Sequence, residues 1–100
     1  MASEPKEPRL HVRIVSPTQA FYDGKAVSLS AVNKVGPFDI LADHANFFSL
    51  LTAGKIIVNN GRNNFEFPIT QGIVKATNNN ITLFVDIEPA YASEETAKAA

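Results

Sequence analysis

An all-β fold, an antiparallel sandwich or flattened barrel of about eight to ten short strands, is what this sequence predicts. Three observations carry the prediction. From Leu10 onward apolar and polar residues alternate, the period of half-buried strands. Turn-forming residues recur at short intervals. No stretch before the last dozen residues shows the spacing of a helix of ten or more.

The first strand places Leu10, Val12 and Ile14 on one face and His11 and Arg13 on the other. Val27, Leu29 and Ala31 repeat the pattern around Ser28 and Ser30, and Phe65, Phe67 and Ile69 do so around Glu66 and Pro68. Ile81, Leu83, Val85 and Ile87 complete the predicted core. The turns are expected at Ser16-Pro17, Asp23-Gly24, Gly36-Pro37, Ala53-Gly54, Asn60-Gly61, Gln71-Gly72 and the run Asn78 to Asn80. Asn and Gly tolerate positive φ, which makes Asn60-Gly61 a candidate tight hairpin turn. Pro68 cannot donate a ladder bond, so its strand is expected at an edge or with a bulge.

At the ends the pattern stops. Residues 1–9 are polar, carry two prolines and are expected to be a disordered tail. Residues 10–88 form the sandwich domain, and 89–100 are expected to be a tail or the stump of a helix capped by Ser93 with Glu94 and Glu95 in its first turn. So short a helix is marginal alone, since isolated helices below ~12 to 15 residues rarely hold.

Composition removes several function classes. The 100 residues suit one domain, and 45% hydrophobic with 19% charged residues is ordinary globular usage. Nine basic against ten acidic side chains leave a formal charge of −1, no field for collecting nucleic acid or anionic lipid. With no cysteine there is no disulfide, thiol nucleophile or Cys-type zinc site. No apolar run exceeds three residues, and the start of the chain lacks the apolar stretch of a signal peptide.

Asp39, Asp43 and His44 offer the most tempting chemistry, an acid–base pair or metal ligands for a small hydrolase. The only other histidine is His11, no nucleophile elbow is present, and neighbouring polar residues in a Pro-containing segment more often make a hydrogen-bonded turn. Asn80-Ile81-Thr82 matches a glycosylation acceptor, but Ile81 belongs to the predicted core. The five glycines are dispersed, so no phosphate-cradling loop exists and no cofactor is expected. Phe84 falls between two core residues and must point outward, and Val32 and Ile57 also oppose their strands' core sets. These residues are either covered by a loop or form an apolar outer face that marks a protein interface.

The order of the motifs supplies a family. The succession LHVRIVSPTQAFYDGKAVSLS, GPFDILADHANFFSLLTAGKIIV and FEFPITQGIVKATNNNITLFVD resembles the N-terminal β-sandwich domain of the epsilon subunit of F-type ATP synthases, the delta subunit of mitochondria. Val15-Ser16-Pro17, then Phe21 and Gly24, match the family's opening. Gly36, Phe38, Ile40, Leu41, His44 and Ala45 match its characteristic loop, followed by Ala53-Gly54, Gln71-Gly72 and Asn80-Ile81-Thr82-Leu83. The resemblance covers roughly residues 10 to 88 and rests on order and spacing, no one motif being highly specific. Asp39, Ala42 and Asn46 depart from it, standing where the family has a Gly and two stiffening prolines.

The resemblance implies a non-catalytic rotor subunit at the foot of the central stalk. It links the gamma subunit to the c-ring, couples rotation to ATP synthesis, and meets the membrane only through the complex, on the cytoplasmic face of a bacterial inner membrane. By the same resemblance Pro37, Phe38, Asp39, Asp43 and His44 form a c-ring contact loop, with an aspartate supplying the acidic charge that often stands at the position of Pro37. Phe84, Val32, Ile57 and Arg13 are the candidate gamma-subunit contacts, because interface hot spots favour aromatic and Arg side chains and outward apolar ones. The isolated chain is expected to be a monomer. The family's C-terminal helical hairpin is not in these 100 residues, and if they are the full gene product neither helical inhibition nor nucleotide binding is expected. The alternative is a stand-alone β-sandwich interaction module of the same fold with another partner.

Overall fold

In the computed structural model, residues 8–43 and 46–87 are described. His44 and the expected helical stump at 89–100 lie outside them, as does all but the end of the expected N-terminal tail. Eight strands are present among the described residues: β1 (Leu10–Val15), β2 (Ala20–Ala26), β3 (Ser28–Asn33), β4 (Gly36–Leu41), β5 (Phe47–Leu51), β6 (Gly54–Asn59), β7 (Asn64–Thr77) and β8 (Asn80–Ile87).

Hydrogen bonding orders them β2-β1-β8-β7-β6-β3-β4, with β5 also on β7. Among the described residues the sheet does not close, which makes it a sandwich and not a barrel. One layer is β2, β1, β8, the C-terminal half of β7, and β5; the other is the N-terminal half of β7, β6, β3 and β4. All pairs are antiparallel except β1 with β8, which run parallel from His11↔Asn80 to Val15↔Phe84. Strand alternation predicts faces but is blind to direction, so this one parallel pair within the antiparallel sandwich is visible only in the structure.

The long strand β7 belongs to both layers because of one extra residue. Ile69 pairs with Ile87 and Gln71 with Asp86, so the register slips at Thr70. Phe67 and Ile69 before the slip and Val74 and Ala76 after it are all buried, although their spacing changes parity. The bulge is thus what lets both halves of one strand face the same core. Pro68 sits next to it, paired with Lys55 of β6 and just beyond the last β8 pair, as its missing N–H requires.

Two other expected turns are strand interior. Asp23-Gly24 lies within β2, and Gln71-Gly72 within β7 beside the bulge. A Cβ on Gly72 would lie 2.9 Å from the Phe84 carbonyl oxygen and 3.0 Å from Val85 Cγ1, so glycine is needed there for close approach of β7 and β8. Asn60-Gly61 does join a hairpin, through the four residues 60–63, with Asn60 Oδ1 accepting the amides of Arg62 (2.9 Å) and Asn63 (2.8 Å). The two-residue turn is instead Asn78-Asn79, whose φ values of 51° and 66° are those that a primed hairpin turn requires.

The core is formed by Leu10, Val12, Ile14, Ile81, Leu83, Val85 and Val74 from one layer, facing Leu29, Ala31, Ile40, Ile56, Val58, Phe67 and Ile69 from the other. Full burial of such side chains contributes about 1.5–3 kcal/mol each, whereas the ion pairs Arg9–Asp43, Arg13–Asp23 and Lys55–Glu66 are exposed and contribute little. Three expected core residues are peripheral: Phe65 is 38% exposed, and Val27 and Ile87 are half-buried. Aromatic rings cover both open corners. Tyr22 of β2 packs on Phe65 and Phe67 of β7 (centroids 5.5 and 6.2 Å), and Phe38 of β4 on Phe47 of β5 (5.3 Å).

Candidate functional site, an apolar sheet face

The outer face of the β2-β1-β8-β7-β5 layer can be read row by row from the register. Val15, Phe84, Ile73 and Leu50 lie side by side on four successive strands. Laterally paired residues share a face, so these four side chains form one apolar row across the sheet. Phe84 is 54% and Leu50 65% exposed, and Phe48, two residues before Leu50 on β5, is 64% exposed. With Ser16, Pro17, Gly72 and Asp86 the row lines an open groove of about 590 Å³. Solvent-facing aromatic and aliphatic side chains in one contiguous strip are the unusual feature of this surface.

Of the predicted gamma contacts, Phe84 and Arg13 are on this face. Arg13 pairs with Thr82 and stands 3.6 Å (Nε to Oδ2) from Asp23, whose other oxygen lies 2.7 Å from His11 Nε2. Val32 and Ile57 are not brought together with them. Both sit on the outer side of the other layer, half-buried, Val32 covering Gly54 and Ile57 between Ser30 and Glu66. Alternation tells which way a side chain points from its own strand, but not to which layer the strand belongs. Sequence reasoning missed Leu50, Ile73 and Phe48. The period-two spacing of Phe48 and Leu50 was an available signal, while Ile73 was hidden by the parity change at the bulge.

The segment predicted as a c-ring contact loop is largely an edge strand, because Pro37, Phe38 and Asp39 belong to β4, which among the described residues pairs with β3 alone. Asn33 Oδ1 accepts the amides of Val35 (2.9 Å) and Gly36 (3.2 Å) to make the preceding turn, and Gly36 takes φ +143°. Pro37 and Asp39 point outward, and Asp39 accepts a 2.5 Å hydrogen bond from Ser30 Oγ. Phe38 points the other way, into the corner against Phe47.

Asp43 follows with φ 65° and is held by several partners. Arg9 Nη1 donates to its carboxylate at 2.6 Å, Asn79 Nδ2 donates at 3.3 Å, and Asn79 Oδ1 accepts the Asp43 amide at 2.7 Å. The Arg9 hydrogen bond, then that from Asn79, then the Arg9 charge hold the Asp43 carboxyl below its ordinary range. On the far side of residues 44–45, the Asn78 amide donates to Asn46 Oδ1 at 3.4 Å. The Asn78-Asn79 turn therefore grips the segment from both flanks. Among the described residues no group of three or more His, Cys, Asp and Glu side chains is placed to hold a metal ion.

A small sandwich whose most prominent surface is an apolar strip on one outer sheet face defines a class of β-sandwich domain built around contact surfaces. Comparison with known proteins specifies the class. Residues 9–88 match the family described as ATP synthase, Delta/Epsilon chain, beta-sandwich domain, and the chain belongs to that family. It is 30% identical over 93 residues to a chloroplastic ATP synthase epsilon chain of Emiliania huxleyi, covering 91% of this chain and 72% of that one. An ATP synthase epsilon chain of Caulobacter vibrioides is 28% identical over 78 residues, covering 78% of this chain and 91% of that one. Among solved structures, a chain of the Tetrahymena thermophila mitochondrial ATP synthase central stalk and c-ring superposes with TM-score 0.66 at 17% identity, covering 81% of this chain and 66% of that one. A chain of the Euglena gracilis mitochondrial ATP synthase gives TM-score 0.72 at 11% identity, covering 99% of this chain and 68% of that one. These two likenesses are of fold.

Proposed function

We propose that this chain is a central-stalk (rotor) subunit of a proton-translocating F-type ATP synthase, linking the gamma subunit to the c-ring and coupling rotation to ATP synthesis without catalysing a reaction itself. The observation that carries the proposal is the exposed apolar row Val15, Phe84, Ile73 and Leu50, in a member of the delta/epsilon family. The row is the gamma-facing surface, with Phe84 as its anchor and Arg13 beside it. Val32 and Ile57, on the opposite layer, are not part of that surface. Pro37, Asp39, Asp43 and His44 present the c-ring contact, and Phe38 supports them from inside the corner. The subunit works on the cytoplasmic face of a bacterial inner membrane and is held there by the complex. Residues 10–88 are its folded domain.

The deciding experiment is size-exclusion chromatography of the chain with the gamma subunit and with the c-ring from the same genome. Co-elution with gamma is expected for the wild type and lost in Phe84→Asp, while Asp39→Ala with Asp43→Ala weakens ring binding and leaves gamma binding intact. Failure of the wild type to bind gamma at micromolar concentration would favour a stand-alone interaction module of the same fold.

A further inference from the structure

The apolar strip has a charge polarity across its width, and from it we infer the chemistry and orientation of the surface that covers it. This inference rests on the binding face proposed above. The strip crosses four strands, about 14 Å at the usual interstrand spacing. Along the strands it is bordered on one side by the row Arg13, Thr82, Lys75 and Phe48, and on the other by Asp86 paired with Gln71. From Gln71 to Lys75 is four residues of strand, about 13 Å.

The two borders carry opposite charge. Arg13 is shared with Asp23, but Lys75 has no carboxylate partner among the described residues. Asp86 has no cationic partner among them; Gln71 Nε2 donates to its carboxylate at 2.7 Å and holds it at the groove edge. Among the described residues that line the groove, Asp86 is the one that carries a charge. A side chain with a free charge beside an apolar strip selects its complement, because pairing recovers the solvation lost on docking and a like charge there is penalised.

The geometry points to a partner surface with an apolar stripe, a basic side chain on the flank that meets Asp86, and an acidic one on the flank that meets Lys75. The charges give the contact its direction: turning the partner end for end places like charges together on both borders. The apolar row supplies the affinity and the borders supply the register.

The test uses the intact chain and the gamma subunit of the same genome, with affinity measured by titration at low and high salt. Lys75→Glu and Asp86→Lys are exposed substitutions and should keep the wild-type melting temperature. Each is expected to weaken binding about 5-fold at low salt and less at high salt, since exposed ion pairs are modest and screened. If both variants match the wild type at both salt concentrations while Phe84→Asp abolishes binding, the polarity is overturned and the face stands. If Phe84→Asp binds like the wild type, the face itself is wrong. The strip is also self-complementary about a two-fold axis along the row, so a dimer of the chain alone that Phe84→Asp disperses would overturn the assignment to a different partner.

Discussion

At the scale of single residues, Asp43, at a left-handed φ of 65°, is held by three hydrogen bonds shared with Arg9 and Asn79. Because its carboxyl ionises more readily in the folded chain than in the unfolded one, the clamp contributes fully above the unfolded carboxyl range. It is lost as pH falls through the lowered folded value. The protection factor of the residue 43 amide, its exchange rate corrected for the intrinsic pH dependence, should therefore fall on acidification from neutral to about pH 2, and in Asp43→Asn it should be low already at neutral pH and change less. Gly72 is a second single-residue dependence. Gly72→Ala places a methyl group within 3.0 Å of both the Phe84 carbonyl and Val85, and strand backbone cannot swing away as a side-chain tip can. Denaturant unfolding should show a loss of about 1–3 kcal/mol.

Among the elements, β7 decides the architecture. It is 14 residues long, touches β5, β6 and β8, and changes layer at Thr70. Deleting Thr70 would bring Phe67, Ile69, Val74 and Ala76 to one parity on a straight strand and remove the bend that carries β7 from one layer to the other. The deletion variant is expected to lose the cooperative unfolding transition and the dispersed amide spectrum of the wild type, while Thr70→Ser, which keeps the residue count, retains both. The edge strand β4 has a different task. Its inward residues Phe38 and Ile40 tie it to the sandwich, and Pro37 and Asp39 blunt its outer surface by removing a donor and adding a charge.

For the molecule as a whole, two layers give two outer faces of unlike character. The face carrying Phe84, Ile73 and Leu50 is apolar along one row, whereas the other face is mixed, with Ser28, Ser30, Asp39, Lys55 and Glu66 interspersed among Val32, Leu41 and Ile57, and Lys55 and Glu66 joined at 3.2 Å. The linking role proposed above requires separate contact surfaces on a single body. The sandwich provides them, because its core is continuous and aromatic rings cover both corners. The separation of faces also accounts for the split among the sequence-predicted contacts, Phe84 and Arg13 on one side and Val32 and Ile57 on the other.

Much of this was legible without coordinates. Period-two alternation is a local property, so the all-β class, the buried Leu10, Val12, Ile14, Leu29, Ile81, Leu83 and Val85, and the outward Phe84 follow from the sequence by itself. Motif order likewise identified the family that the comparison confirms. What only the tertiary structure decided is long-range: the parallel pairing of β1 with β8, the bulge that hid Ile73, the membership of β3 and β6 in the second layer, and the Arg9–Asp43–Asn79 clamp between residues 34 to 70 positions apart. The physical reason is that alternation constrains each strand only relative to itself. Which strands become neighbours, and which exposed side chains line up in one row, depends on hydrogen-bond register between segments distant in the chain.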